Sequence, residues 1–211
     1  ITSDIPRVPS IALGAAEISL IEMLSAYTTF IREGRPKKPV GLLKIEDKNG
    51  NILYQYEPEI ESKPVIDLET SLLMIQMLQE VVDSGTARGL RTVYGLSGDL
   101  AGKTGTTQDN ADGWFIGFSP HILAGCWVGA ENPSVHFRTT TLGQGAYMAL
   151  PVVGSFFQKL ENSRKNQVYT SGYFPILPAH LQEKMSCANY SRTDPQMNIF
   201  EKLFSRKIRN D

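Results

Sequence analysis

Residues 101–128 fix more of this chain's fold than any other stretch, because three strand-type segments follow one another with only turn signals between them. The first is Ala101-Gly102-Lys103-Thr104-Gly105-Thr106-Thr107, small residues and β-branched threonines around one cation. Gln108-Asp109-Asn110 follows it as a turn. Trp114–Phe118 then returns antiparallel, and Ile122–Val128 follows Pro120-His121. Three consecutive strands joined by tight turns make a meander with Lys103 on its first strand. Side chains alternate along a strand, so Thr104 and Thr106 share one face while Lys103 points to the other. Gly105, between the threonines, has no Cβ and lets another backbone approach closely. The arrangement suits an extended peptide laid along an open sheet edge, with two hydroxyls holding its terminal carboxylate.

Two plainer readings compete. Lys-Thr-Gly by itself is a common tripeptide of surface turns. Gly102-Lys103-Thr104 also ends like a phosphate-binding loop, but that motif needs a glycine where this chain has Ser97, and a helix after it. Gly105 and Gln108-Asp109-Asn110-Ala111-Asp112-Gly113 make a turn and not a helix start, which excludes the nucleotide reading.

Around the meander, the sequence predicts helices with marked ends. Pro6 and Pro9 bar a regular helix from residues 1–16, which read as loop. Ser19 opens an apolar pattern at three- and four-residue steps through Ile21, Leu24, Tyr27, Phe30 and Ile31, which Gly34 stops. Residues 42–46 and 51–56 form a hairpin around Asn49-Gly50, expected to pack against the lobe beside it. A second helix runs from about Leu68 to Val82 with Asp67 as its cap and Thr70 as the next candidate. The stretch from Ser84 to Leu100 reads as loop. A third helix runs through Val153, Phe157 and Leu160, with Pro151 near its start or at a kink. Residues 163–211 read as a polar extension of little regular structure, apart from a terminal helix near Ile199–Ile208.

The chain's 211 residues suffice for one sizeable core, and its formal net charge of -1 gives no attraction to nucleic acid. No apolar run approaches the roughly 18 residues of a membrane span. Two cysteines, Cys126 and Cys187, make no disulfide framework, although a bridge between them stays open in an exported protein. Cys126 reads as a small buried hydrophobe within a strand. His121, His136 and His180 lack paired ligand spacing, so neither a metal site nor a cofactor is expected.

Lys103-Thr104-Gly105-Thr106-Thr107, then Asp109, then Asp112-Gly113-Trp114-Phe115-Ile116-Gly117-Phe118-Ser119-Pro120, resembles the penicillin-binding transpeptidases. The likeness is to the bifunctional class that also polymerises glycan strands. Ile5-Pro6-Arg7-Val8-Pro9-Ser10-Ile11-Ala12-Leu13-Gly14, with Glu17-Ile18-Ser19 and Ala26-Tyr27, is similar to the same class. The likeness covers most of positions 1–162 and implies a partial serine β-lactamase/transpeptidase-like fold, α/β of the α+β type, with an antiparallel sheet and packed helices.

In such enzymes the nucleophile and base lie in a Ser-x-x-Lys, and a Ser-x-Asn joins the proton relay. Neither pattern occurs in this chain, and Ser97-Gly98-Asp99 is a near miss that reads as loop. The resemblance therefore implies the C-terminal part of a transpeptidase domain, inactive alone, whose partner is the missing N-terminal half. It implies that Lys103 biases the relay serine and that the Thr104 and Thr106 hydroxyls bind the carboxylate of a D-Ala-D-Ala stem peptide or a β-lactam. The backbone N–H of Thr106 would complete the oxyanion hole. Gly105 and Thr107 belong to the substrate-lining stretch, although the side chains of Thr107, Asp112 and Trp114 read as structural. The implied parent acts at the extracytoplasmic face of a bacterial inner membrane, anchored by a helix outside this sequence. The rivals are a D,D-carboxypeptidase or β-lactamase on the same scaffold, and a non-catalytic penicillin-sensing or scaffold module.

Overall fold

The computed structural model of the chain describes residues 1–58 and 62–185. The chain divides into two units, Ile1–Pro175 and Ile176–Asp211. The first holds the meander.

Both helix starts marked in the sequence are capped as expected. Helix α1, Leu20–Ile31, begins at a complete capping box in which Ser19 and Glu22 satisfy each other's backbone N–H groups. It ends before Gly34, whose φ of 88° is the left-handed conformation that glycine adopts without strain. Helix α2, Leu68–Asp83, starts from Asp67, whose carboxylate accepts the Thr70 N–H at 2.6 Å. That bond from the Thr70 backbone holds the Asp67 carboxyl below its ordinary range.

Between these helices, β1 (Lys44–Glu46) and β2 (Ile52–Gln55) form the expected hairpin. Asp47 builds its turn by accepting the N–H groups of Asn49 at 2.8 Å and Asn51 at 2.9 Å. Both strands are exposed along their length, so the packing expected of this hairpin is absent among the described residues. A two-stranded ribbon has no third strand to cover it.

The meander is β3 (Ala101–Thr106), β4 (Asp112–Phe118) and β5 (Leu123–Gly129), antiparallel in the order β3-β4-β5. Alternation along β4 sorts the core into two layers. Phe115 goes to one side, in a fully enclosed cluster with Val82, Leu90, Leu100, Val153 and Phe157. Phe118 goes to the other, with Ile75, Leu78, Ala101 and Phe174, and Tyr27 and Phe30 of α1 pack against that cluster. Helix α1 crosses β5 at Gly125, where a Cβ would stand 2.8 Å from the Leu24 side chain.

Short helices appear where the sequence reads as loop. Pro9–Leu13 is a 3-10 turn, which Pro9 can start because its fixed φ suits a first helical position. Helix α3, Gly89–Thr92, corrects the loop reading of 84–100, and its Leu90 is completely buried. Two further single turns, α4 (Thr140–Gly143) and α5 (Gly145–Met148), precede α6, Leu150–Glu161. Pro151 lies in the first turn of α6 and leaves it unkinked, since a missing N–H there costs no hydrogen bond. After α6 the chain stays on the first unit, where Tyr169 accepts the Ser119 hydroxyl through its carbonyl and Phe174 donates its N–H to Asp99 at 2.9 Å. Helix α7, Ala179–Met185, corrects the reading of 163–185 as lacking regular structure. The helix expected near Ile199–Ile208 lies outside the described residues.

Candidate active-site strand

Strand β3 is the edge of the three-stranded sheet, paired only with β4 among the described residues. Thr106 stands opposite Gly113, Thr104 opposite Phe115, and Gly105 opposite Trp114. At the end of the ladder, Thr107 donates its N–H to the Asp112 carbonyl at 3.3 Å. Antiparallel pairs alternate between those that exchange backbone bonds and those that do not. Counting back from Thr107, Gly105 and Lys103 bond toward β4, and the N–H and C=O groups of Thr106 and Thr104 face the open edge. Lys103 Nζ donates to that outward Thr104 carbonyl at 2.7 Å.

The two threonine side chains lie on the Phe115 side of the sheet, as the alternation requires. Each hydroxyl has a partner. Oγ1 of Thr106 accepts the backbone N–H of Gly145 at 3.1 Å. Oγ1 of Thr104 lies 2.6 Å from Oγ1 of Thr86, in the turn after α2. Thr86 and Gly145 were not legible as site residues, because neither stands in a motif and both arrive by tertiary packing. The only trace of Gly145 is the glycine pair of Gly143-Gln144-Gly145.

Gly105 is a close-approach position, but its near neighbour is a side chain. A Cβ there would stand 3.1 Å from Cβ of Trp114 on the paired strand. The backbone that does come close belongs to Gly145, where a Cβ would fall 2.3 Å from the carbonyl oxygens of both Gly105 and Trp114. Helix α5 can therefore seat its first residue directly on the β3–β4 pair.

Thr107 and Asp112 close the end of the strand. The Thr107 hydroxyl accepts the Asp112 N–H at 3.0 Å, and the Asp112 carboxylate accepts Nε1 of Trp127 at 2.9 Å. Both side chains thus serve the turn. Ser97-Gly98-Asp99 is structural too: Ser97 donates its N–H and hydroxyl to Glu161, Gly98 accepts from Arg91, and Asp99 accepts from Phe174. Cys126, the one cysteine among the described residues, packs against the Phe115 cluster, and burial pushes its thiol up, away from the thiolate a nucleophile needs.

Beyond the turn, a mainly apolar cavity of about 300 Å³ is lined by Asn110, Val128, Val135, Phe137 and Met148 among others. None of the residues singled out in the Lys-Thr-Gly strand lines it.

Comparison with known proteins gives the family and the fold. The family described as the penicillin binding protein transpeptidase domain matches residues 8–134. Penicillin-binding protein 1A of Neisseria flavescens is 38% identical over 153 residues, covering 71% of this chain and 18% of that protein. The protein of the same name from Aquifex aeolicus is 38% identical over 146 residues, covering 68% of this chain and 19% of its own length. This chain therefore spans less than a fifth of either relative.

Among solved structures, penicillin-binding protein 1A from Haemophilus influenzae aligns with a TM-score of 0.68 at 22% identity, over 80% of this chain and 29% of that one. The PonA1 protein of Mycobacterium tuberculosis, solved in complex with penicillin V, aligns with a TM-score of 0.62 at 24% identity, over 81% of this chain and 44% of that one. These structures share the fold of helices packed on an antiparallel sheet. With β3 at the sheet edge and the family match spanning residues 8–134, the chain belongs to the penicillin-binding protein transpeptidase domain family, a serine-type enzyme family, and is related to penicillin-binding protein 1A.

Proposed function

We propose that this segment supplies the substrate-binding edge of a D,D-transpeptidase that cross-links peptidoglycan stem peptides and is acylated by β-lactams. The observation that carries the reading is the geometry of β3, with the Thr104 and Thr106 hydroxyls on one side and the backbone N–H of Thr106 at the open edge. An extended D-Ala-D-Ala terminus laid along that edge places its carboxylate on the hydroxyls and its reacting carbonyl at the Thr106 N–H. Donors aimed at a developing oxyanion stabilise the tetrahedral intermediate of acyl transfer.

The nucleophilic serine comes from the preceding half of the domain. Its oxygen attacks the penultimate D-Ala carbonyl, the C–N bond breaks, and the departing D-Ala amine takes a proton from the relay. An amine of a second stem then displaces the serine and re-forms an amide. The Lys103 ammonium adds positive charge beside the relay serine and the carboxylate. Gly105 leaves room for the Trp114 side chain on the paired strand, and Thr107 fixes the turn. Glycosyltransferase activity, a membrane anchor and an extracytoplasmic location belong to the same reading of the whole protein. Among the described residues, no helix is long and apolar enough to cross a membrane.

The test uses a transpeptidase containing this segment together with its nucleophile-bearing half. Thr106→Val keeps the side-chain shape and removes the hydroxyl. A hydrogen bond to a charged group is worth about 1.5–3 kcal/mol, or roughly ten- to a hundredfold in rate where it acts in the transition state. The variant should be slowed by that factor toward a penicillin with a free carboxylate and hardly at all toward its methyl ester. Equal slowing of both compounds would remove the carboxylate assignment.

A further inference from the structure

The Thr104 hydroxyl reaches its site already paired. Its Oγ1 and that of Thr86 are 2.6 Å apart, and Thr86 lies in the exposed turn between α2 and α3. A hydroxyl carries one proton and two acceptor lone pairs. Thr106 uses one lone pair on the Gly145 N–H and keeps its proton for a ligand. Thr86 and Thr104 hold two protons between them, and one lies between the two oxygens. The pair therefore presents one outward O–H. Three hydroxyls on this side of β3 add up to two outward donors, one for each oxygen of a carboxylate.

Resting on the carboxylate reading above, we propose that Thr86 is a positioning residue that sets the specificity of β3 for carboxylate ligands. It donates its own hydrogen to Oγ1 of Thr104, which turns the Thr104 proton outward beside that of Thr106. Without that bond the Thr104 hydroxyl is free to rotate, and in some of its orientations it presents lone pairs to the anion. A hydroxyl that accepts one hydrogen bond also becomes a better donor in the next, since chained bonds polarise one another. Thr86 touches no reacting atom and acts through Thr104.

The experiment measures second-order acylation rates by a penicillin and by its methyl ester, in a transpeptidase carrying this segment and its nucleophile-bearing half. The proteins are wild type, Thr86→Val, Thr86→Ala, Thr86→Ser and Thr106→Val. Loss of one ordinary hydrogen bond corresponds to roughly a three- to tenfold change. Thr86→Val and Thr86→Ala should lose about that much toward the free acid and stay within twofold of wild type toward the ester. Thr86→Ser, which keeps the hydroxyl, should restore the wild-type rate with both. A purely structural role for Thr86 would slow acid and ester alike, and that result overturns the proposal, as does an unchanged rate toward the acid. Thr106→Val separates the role of Thr86 from carboxylate binding by β3. If it discriminates acid from ester and the Thr86 variants do not, the role of Thr86 alone falls. If none of the variants discriminates, the carboxylate reading falls and takes the role of Thr86 with it.

Discussion

Gly145, the first residue of α5, donates its backbone N–H to the hydroxyl of Thr106, a residue 39 positions earlier on β3. The bond exists because nothing but hydrogen stands on the Gly145 α-carbon, which lets the helix rest on the carbonyls of Gly105 and Trp114. Gly145→Ala would put a methyl 2.3 Å from both oxygens. Backbone atoms cannot rotate away as a side chain would, so α5 must lift. We expect a loss of about 1–3 kcal/mol, the usual cost of forcing extra volume into a packed site. We also expect slower acylation by penicillin when the segment is joined to its nucleophile-bearing half. Thermal unfolding and acylation rates of the same variant check both, and a variant that melts and reacts like wild type would show that α5 does not hold β3.

The local parts of this fold were legible because local chemistry determines them. Ser19 and Asp67 cap helices as their side chains dictate, Asp47 and Gly50 turn the hairpin, and the threonines of β3 alternate as strand geometry requires. The Lys-Thr-Gly strand was legible as a candidate site through its neighbours in sequence. Thr86 and Gly145 were not, because what places them is the packing of α2 and α5 on the sheet, and one threonine in a loop looks like any other. The single-turn helices α3, α4 and α5 escaped for a related reason: four residues show no period, and a turn such as α3 is held by burying Leu90 against distant parts of the chain.

Glu22 should make the N-terminal segment sensitive to acid. Its carboxylate accepts six bonds, the N–H and hydroxyl of each of Thr2, Ser3 and Ser19. The Ser3 hydroxyl, then those of Ser19 and Thr2, hold its carboxyl far below the ordinary value of 4.5. A depressed folded-state pKa gives stability that is present above the unfolded value and fades as pH falls through the folded one. Wild type should therefore protect the Thr2 and Ser3 amides from hydrogen exchange at neutral pH and lose protection well below pH 4.5. Glu22→Ala should lack that protection at both pH values, since it removes the oxygen that accepts both amides. Exchange measured by NMR at neutral and acidic pH decides it, and equal protection in the two proteins would show that Glu22 does not hold the segment.

Phe115 is completely buried at the centre of β4, against side chains from α2, α3 and α6. Phe115→Ala should cost about 3–5 kcal/mol, the usual range for such a truncation. Leu53 on β2 is 67% exposed, and Leu53→Ala should stay within about 0.5 kcal/mol of wild type. Urea midpoints of both variants test the contrast. A large loss at Leu53 would mean that the hairpin is covered in solution.

The 211-residue chain should not react covalently with a penicillin. Acyl transfer needs a nucleophile with a base within hydrogen-bond reach, and no Ser-x-x-Lys occurs in the sequence. The hydroxyls nearest the proposed site have a second hydroxyl and a backbone N–H as partners, and no base: Thr104 pairs with Thr86, and Thr106 accepts from Gly145. Ser97 gives its N–H and hydroxyl to Glu161 and so ties the loop before β3 to the end of α6, and burial keeps the Cys126 thiol protonated. Intact-mass measurement after incubation with a penicillin and denaturation should show the mass of the unmodified chain. In the transpeptidase proposed above, with a nucleophile-bearing half supplied, the same segment should gain one penicillin per chain. A stoichiometric adduct on the 211 residues alone would place a nucleophile inside this segment, and peptide mapping of the modified residue would then replace the roles assigned to Lys103 and Thr106.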